Sequence, residues 1–234
     1  MGQTTGEERT RYVRNTFGRI AKSYDLMNRL MTARQDVRWR KLTIRRLRLQ
    51  PGERLLDLGA GTGDLGREAL RQQPAIQLVA ADFSLAMMLA GASSGCLPWL
   101  NADALHLPFP GGTFEAIVSG FLMRNVGSLP AALNEQYRLL KPGGRVAILE
   151  TTRPHSGLLT PFVWIHMHLI IPFLGRLVSG DREAYRYLPS SSAAFLSAEE
   201  LSARMLSAGF RKVGFRRLMA GTIAIHWGEK AALE

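Results

Sequence analysis

The chain has one cysteine, Cys96, in 234 residues. That excludes a disulfide framework and a cysteine metal cluster, gives no sign of an oxidising compartment, and leaves Cys96 expected as a small buried apolar residue. Acids are also scarce. Nineteen Asp and Glu stand against thirty Lys and Arg, a formal charge of +11, which favours anionic partners such as a membrane surface. The basic residues gather in 9–54 and 204–217 without an RNP-type aromatic pattern or zinc spacing, so nucleic acid is not expected as a partner. No apolar signal segment opens the chain, and Gly6 stands where a myristoylation motif needs Ser or Thr, so a cytoplasmic location is expected. A clean membrane span is missing too: residues 158–177 have the length but contain Pro161, His166, His168 and Pro172. A lid over an apolar ligand, or a segment lying in the membrane interface, fits this stretch better. With no internal repeat or low-complexity tract, the length suits a single α/β core with an added lid.

What is present begins with Leu55-Leu56-Asp57-Leu58-Gly59-Ala60-Gly61-Thr62-Gly63-Asp64, a short apolar strand running into three alternate glycines. Glycines at 59, 61 and 63 let the backbone turn sharply and approach a ligand where a Cβ would collide. The spacing is G-x-G-x-G rather than the G-x-G-x-x-G that seats a diphosphate on a helix. Asp57 and Asp64 bracket the turn; they would repel a diphosphate and suit the ammonium and sulfonium charges of S-adenosylmethionine. Asp82 closes the next apolar run and is placed to accept both ribose hydroxyls, and Asp103 beside Ala104 follows a third, in reach of an adenine amino group. Any one of these acids is an ordinary loop carboxylate; the ordered set points to the cofactor.

The remaining pattern alternates. Residues 7–48 read as helical and basic, with Phe17, Ile20, Tyr24, Met27 and Met31 on one apolar face, a cap over residues 1–50 before a core spanning 51–234. In the core, strands are expected at 54–58, 76–81, 97–102, 114–119 and 145–150, and helices at 64–72, 84–91 and 130–139. This is the alternation of a Rossmann-like doubly wound α/β sheet. Lys141-Pro142-Gly143-Gly144 reads as a tight turn. An apolar lid is expected over 151–196, then a helix near 198–208 and a terminal antiparallel strand pair near 211–218 and 222–228.

Four further stretches resemble the demethylmenaquinone and 2-polyprenyl-6-methoxy-1,4-benzoquinol methyltransferases, quinone C-methyltransferases of the class I fold. They are Phe17 to Asn28, Arg124-Asn125-Val126, Tyr185 to Ser191, and Ala224 to Lys230; the likeness runs from about Arg14 to Lys230. The resemblance implies S-adenosylmethionine as cofactor, held by Thr62, Asp82, Asp103 and Ala104, with Gly120 where the family usually has Ser. It also implies a prenylated quinol as substrate, demethylmenaquinol first. The family's Ser-Phe-Gly-Leu-Arg-Asn is here Gly120-Phe121-Leu122-Met123-Arg124-Asn125, its Gly-x-His is Arg34-Gln35-Asp36, and its Leu-Glu-Phe-Ser is Leu149-Glu150-Thr151-Thr152.

Methylating a ring carbon needs a reduced, hydroxylated ring that attacks the sulfonium methyl and gives up a proton. Arg124 is expected to hold the developing phenolate rather than act as base, since guanidinium stays protonated. Asn125 is expected to orient a water or ring oxygen, and Tyr24 to close the site from above. His226 has the pKa of a general base but lies in a late strand. Methyl transfer to carbon needs no metal, and His166 with His168 reads as packing. Phe162, Trp164 and Phe173 in the lid offer a prenyl tail an apolar surface, and Arg153, Arg176 and Arg182 would face anionic lipid. A homodimer is compatible with the pattern. Two alternatives stay open: a methyltransferase for another hydrophobic aromatic or isoprenoid acceptor, and a non-catalytic S-adenosylmethionine-binding subunit of a quinone-synthesis assembly.

Overall fold

Seven strands form one sheet in the order β3-β2-β1-β4-β5-β7-β6. A computed structural model describes residues 6–153, 165, 169, 170, 173 and 191–232. Most of the expected lid therefore lies outside the described residues, including Phe162, Trp164, both histidines, Arg176, Arg182 and the stretch from Tyr185 to Ser190. The central strands are β1 (Arg54–Leu58), β2 (Gln77–Asp82) and β4 (Phe114–Gly120), with β3 (Trp99–Asn101) at one edge, all parallel. β5 (Leu140–Thr151) runs parallel to β4, and β7 (Ile223–Glu229) and β6 (Arg211–Leu218) complete the sheet antiparallel. β1 is buried almost throughout, as expected of a parallel strand covered on both faces, and it reads as a nearly continuous apolar run for that reason. The open edge at β6 carries Arg211, Lys212, Arg216 and Arg217, charges that discourage edge-to-edge pairing.

Helices cover both faces. On one side α6 (Leu129–Leu139) and α7 (Ala198–Ser207) bring Leu133, Leu139, Leu201 and Met205 against Leu56, Ile117 and Ile148. Ser128 caps α6 by accepting from Ala131 N, and Ser197 with Glu200 forms a capping box on α7, each satisfying backbone donors that the helix start leaves open. On the other side α4 (Asp64–Gln72) packs Leu65 and Ala69 beside Ile44 and Leu47. α5 (Leu85–Ala92) follows β2 and packs against it.

The N-terminal region departs from a single helical run. It is broken into α1 (Gly6–Ile20), α2 (Tyr24–Met31) and α3 (Gln35–Leu47). Ala33 and Arg34 carry the reversal at φ 48° and 61°, so the backbone turns without a glycine or proline to mark it. The left-handed conformation of Arg34 is one that glycine would adopt at little cost. α3 packs Trp39, Ile44 and Leu47 into the sheet's core, where each fully buried apolar side chain contributes roughly 1.5–3 kcal/mol. Elsewhere β3 is shorter than the expected 97–102. The expected tight turn at Lys141–Gly144 interrupts the pairing of β4 with β5, whose register shifts between Phe114 and Ala116. Cys96 is exposed, contrary to the expectation of a buried residue.

Candidate active site

The alternate glycines do what their spacing requires. Gly59, Gly61 and Gly63 stand at φ 68°, 59° and 87°, a region where a side chain would strain the backbone. A Cβ on Gly63 would also meet Leu97 at 2.5 Å and Trp99 at 2.8 Å. Asp82 braces the turn from the end of β2: one carboxylate oxygen accepts from Gly61 N at 2.7 Å and the other from Ser84 N at 2.8 Å. Burial raises its pKa and these backbone donors oppose the rise. Asp57 lies beneath the turn, fully buried, with Oδ2 accepting from Gly66 N at 2.8 Å and Oδ1 without a hydrogen-bond partner. Burial first, then the nearby Asp82 and Asp64 charges, push its pKa up to about 7, against the hydrogen bond from Gly66. A buried, unmatched carboxylate oxygen below a glycine cradle fits a cationic aminosulfonium ligand such as S-adenosylmethionine.

The loop after β4 forms the facing wall. Phe121 sits at φ 57°, which directs its carbonyl to accept from Asn125 Nδ2 at 2.8 Å and Arg124 Nη1 at 3.1 Å. Arg124 is buried and pairs with the fully buried Glu150 at 2.5 Å. Leu122 lies across Gly59, so close that a Cβ there would meet Leu122 Cδ1 at 2.8 Å. At Gly120 a Cβ would meet Leu65 Cδ1 at 2.7 Å, so any side chain there would require Leu65 to shift.

α2 and α3 are latched to the glycine turn by polar contacts. Thr62 Oγ1 donates to Asp25 at 2.6 Å. Arg40, buried, pairs with Asp36 and reaches Asp64 at 3.2 Å, so the Asp64 carboxylate serves the latch. Tyr24 lies edge-on to Phe17 at 5.9 Å; burial raises its phenol pKa, opposed by a hydrogen bond with Asn28 and the charges of Arg124 and Arg40.

These parts surround a small cavity of about 50 Å³ lined by Phe17, Tyr24, Gly59, Gly61, Asp82, Phe83, Met87, Gly120, Leu122 and Asn125, among others. An open groove with Arg14, Asn15, Arg19 and Asn101 adjoins it at Phe83 and Ser84. Of the expected site residues, Tyr24, Gly59, Gly61, Asp82, Gly120 and Asn125 meet in the cavity. Asp57, Thr62, Gly63 and Arg124 are not among its lining residues; Arg124 reaches it through Phe121 O, and Thr62 and Gly63 flank the lining Gly61 in the turn. Asp103 and Ala104 line neither space; Asp103 is exposed and accepts from Leu105 N at 2.9 Å. His226 is excluded as the base: it is buried against Ala198 O at 3.1 Å, and burial lowers its pKa to about 4.

Sequence reasoning passed over Glu150, Asp25, Arg40 and Gly91. A Cβ on Gly91 of α5 would overlap the Thr62 carbonyl oxygen. Arg67 donates to both Thr62 O and Gly91 O, clasping α5 to the turn. None of these four has a spacing signal for its contact with the turn or the loop after β4, because that contact is to a residue distant in the chain.

Comparison with known proteins gives a consistent result. The family model described as the ubiE/COQ5 methyltransferase family matches residues 3–230. The ubiquinone/menaquinone biosynthesis C-methyltransferase of Desulfotalea psychrophila is 42% identical over 222 residues, covering 93% of this chain and 90% of that protein. The demethylmenaquinone methyltransferase of Thermus thermophilus is 41% identical, covering 92% and 99%. Among solved structures, a SAM-dependent methyltransferase from Thermotoga maritima superposes with a TM-score of 0.63 at 22% identity, over 93% of this chain and 99% of that one.

Proposed function

The chain belongs to the ubiE/COQ5 methyltransferase family, and from that premise we propose that it transfers a methyl group from S-adenosylmethionine to a ring carbon of a prenylated quinol, demethylmenaquinol first. The observation that carries the reading is the shared cavity. The glycine turn and Asp82 form one wall, and Asn125, Leu122 and Tyr24 form the other. Asp82 is the ribose acceptor, for its carboxylate lines the cavity and keeps acceptor capacity beyond its bonds from the backbone. Asp57 is the counter-charge below the cofactor's amino-acid end, and Thr62 and Gly63 shape the turn around it.

S-adenosylmethionine supplies an electrophilic methyl; the chain supplies the rest. Phe17, Phe83, Met87 and Leu122 exclude water around a flat ring. Asn125 holds a ring oxygen or a relay water, its amide aimed by the bond to Phe121 O. Tyr24 stays a neutral phenol and closes the cavity as a hydrogen-bond donor. Arg124 offers guanidinium N–H groups to the ring oxygen as its hydroxyl proton passes to water and the phenolate forms, before carbon attacks. The ring proton leaves to water once the C–C bond has formed. The N-terminal helices act as a cap, and the enzyme meets its lipid substrate at an anionic membrane surface. The test is methyl transfer from labelled S-adenosylmethionine to reduced demethylmenaquinone and to a methoxy-benzoquinol. Methylation of the naphthoquinol is expected; transfer to neither ring overturns the reading.

A further inference from the structure

Glu150 ends the apolar run of β5 and is fully buried, a position in which a lone carboxylate is costly unless it is paired and hydrogen-bonded. It is both. Its Oε1 accepts from Arg124 Nη1 at 2.5 Å, from Thr151 N at 2.8 Å and from Thr151 Oγ1 at 3.3 Å. Its Oε2 accepts from Arg124 N at 3.3 Å. One carboxylate thus grips Arg124 by backbone and guanidinium together. The same residue is anchored from the other side, where Nη1 also donates to Phe121 O. Phe121 N in turn donates to Leu149 O at 2.7 Å, which ties the loop to the strand that carries Glu150.

We propose that Glu150 is a positioning residue for methyl transfer: its carboxylate aims the Arg124 guanidinium and balances its charge, so that Arg124 meets the reacting ring as an oriented N–H donor rather than an uncompensated cation. The proposal rests on the quinol reading above. It assigns the hydroxyl of Thr151, which replaces the family's Phe, a third hydrogen bond to the same carboxylate oxygen. A balanced pair leaves the acidity of the ring hydroxyl close to its ordinary value, whereas an unbalanced guanidinium would favour the ionised ring and an unbalanced carboxylate would oppose it.

The experiment is a double-mutant cycle on the full chain with Arg124→Gln, Glu150→Gln and both together, measuring cofactor affinity and the pH dependence of turnover on a reduced demethylmenaquinone. Glu150→Gln is expected to lower kcat about 100-fold, the scale of a misplaced catalytic group, with S-adenosylmethionine affinity unchanged. Its acid limb should move to lower pH, and that of Arg124→Gln to higher pH. The double variant should be no slower than Arg124→Gln, because Glu150 acts through Arg124. Independent, multiplying losses, or limbs that do not move, overturn the proposal. If Glu150→Gln does not fold, Glu150→Asp keeps the charge and shortens the reach: reduced kcat with the wild-type limb supports the role, and wild-type kcat overturns it. Wild-type protein that binds S-adenosylmethionine yet methylates no quinol overturns the functional reading itself, a result separate from uncoupled effects at 124 and 150.

Discussion

Asp57 shows how one buried carboxylate links folding, protonation and ligand binding. Burial raises its pKa to about 7, well above the value near 3.9 of an unfolded Asp. The folded chain therefore holds this proton more tightly than the unfolded chain. Its contribution to stability is full below about pH 4 and is lost as pH rises through about 7. A cationic ligand above Asp57 reverses the preference by favouring the ionised form. Binding of S-adenosylmethionine near pH 6 is expected to release up to about one proton, with affinity rising toward pH 8. Calorimetry in buffers of different ionisation enthalpy checks this, and Asp57→Asn should remove the buffer dependence. Identical heats in all buffers would show that Asp57 does not titrate with binding. At Asp82, substitution by Ala removes the acceptor for Gly61 N and Ser84 N as well as the ribose contact, so cofactor affinity should fall by at least about tenfold, a loss of roughly 1.4 kcal/mol.

Among the elements, α5 has the least tolerance at its contact with the glycine turn. The Gly91→Ala Cβ would overlap Thr62 O, a backbone atom held by Arg67. The helix must retreat or the turn must deform, at a cost of about 1–3 kcal/mol. Gly91→Ala should lower the melting temperature and weaken S-adenosylmethionine binding together; unchanged binding with a lowered melting temperature would mean that only the helix moves. This contact also marks where sequence legibility stops. β1, the glycine turn and α4 were legible because apolar run, glycine spacing and helix onset are all local. α2 and α3 read as one run because Ala33 and Arg34 adopt left-handed geometry without announcing it. Gly91 looked like a small residue in an apolar helix, and Glu150 like an acid closing a strand. Their partners, Thr62 and Arg124, lie 29 and 26 residues away, by 91 − 62 and 150 − 124. Only the packed fold brings them together. Asp82 and Asn125 were legible as members of ordered motifs, whereas the latch from Asp25 and Arg40 to the turn depends on how α2 and α3 fold back.

At the scale of the whole molecule, the charge of +11 is unevenly matched. Many described acids are paired, as in Glu53 with Arg145, Glu135 with Arg138, Glu199 with Arg217 and Glu229 with Arg48 and Lys212. The cavity is framed by α1, α2 and α5, which contribute Phe17, Tyr24 and Met87 to its lining. The outer faces of two of these helices carry apolar pairs one turn apart: Leu26 and Leu30 on α2, Leu85 and Leu89 on α5, between 44% and 64% exposed. Arg11, Arg14 and Arg29 are exposed on α1 and α2. Among the described residues no helix is long and apolar enough to cross a membrane. Apolar ridges with basic neighbours suit the interfacial zone, where each basic residue contributes about 1 kcal/mol against anionic lipid. The protein is expected to bind vesicles containing anionic phospholipid, to bind neutral vesicles less, and to release from the anionic ones as salt rises. Replacing Leu26 and Leu30 by Gln should weaken vesicle binding by about tenfold while leaving the melting temperature and S-adenosylmethionine affinity unchanged, since both side chains already face water. Sedimentation with vesicles measures this. Equal binding by wild type and the double variant would move the membrane contact away from α2, and no binding to anionic vesicles at any salt would mean that the quinol reaches the cavity by another route.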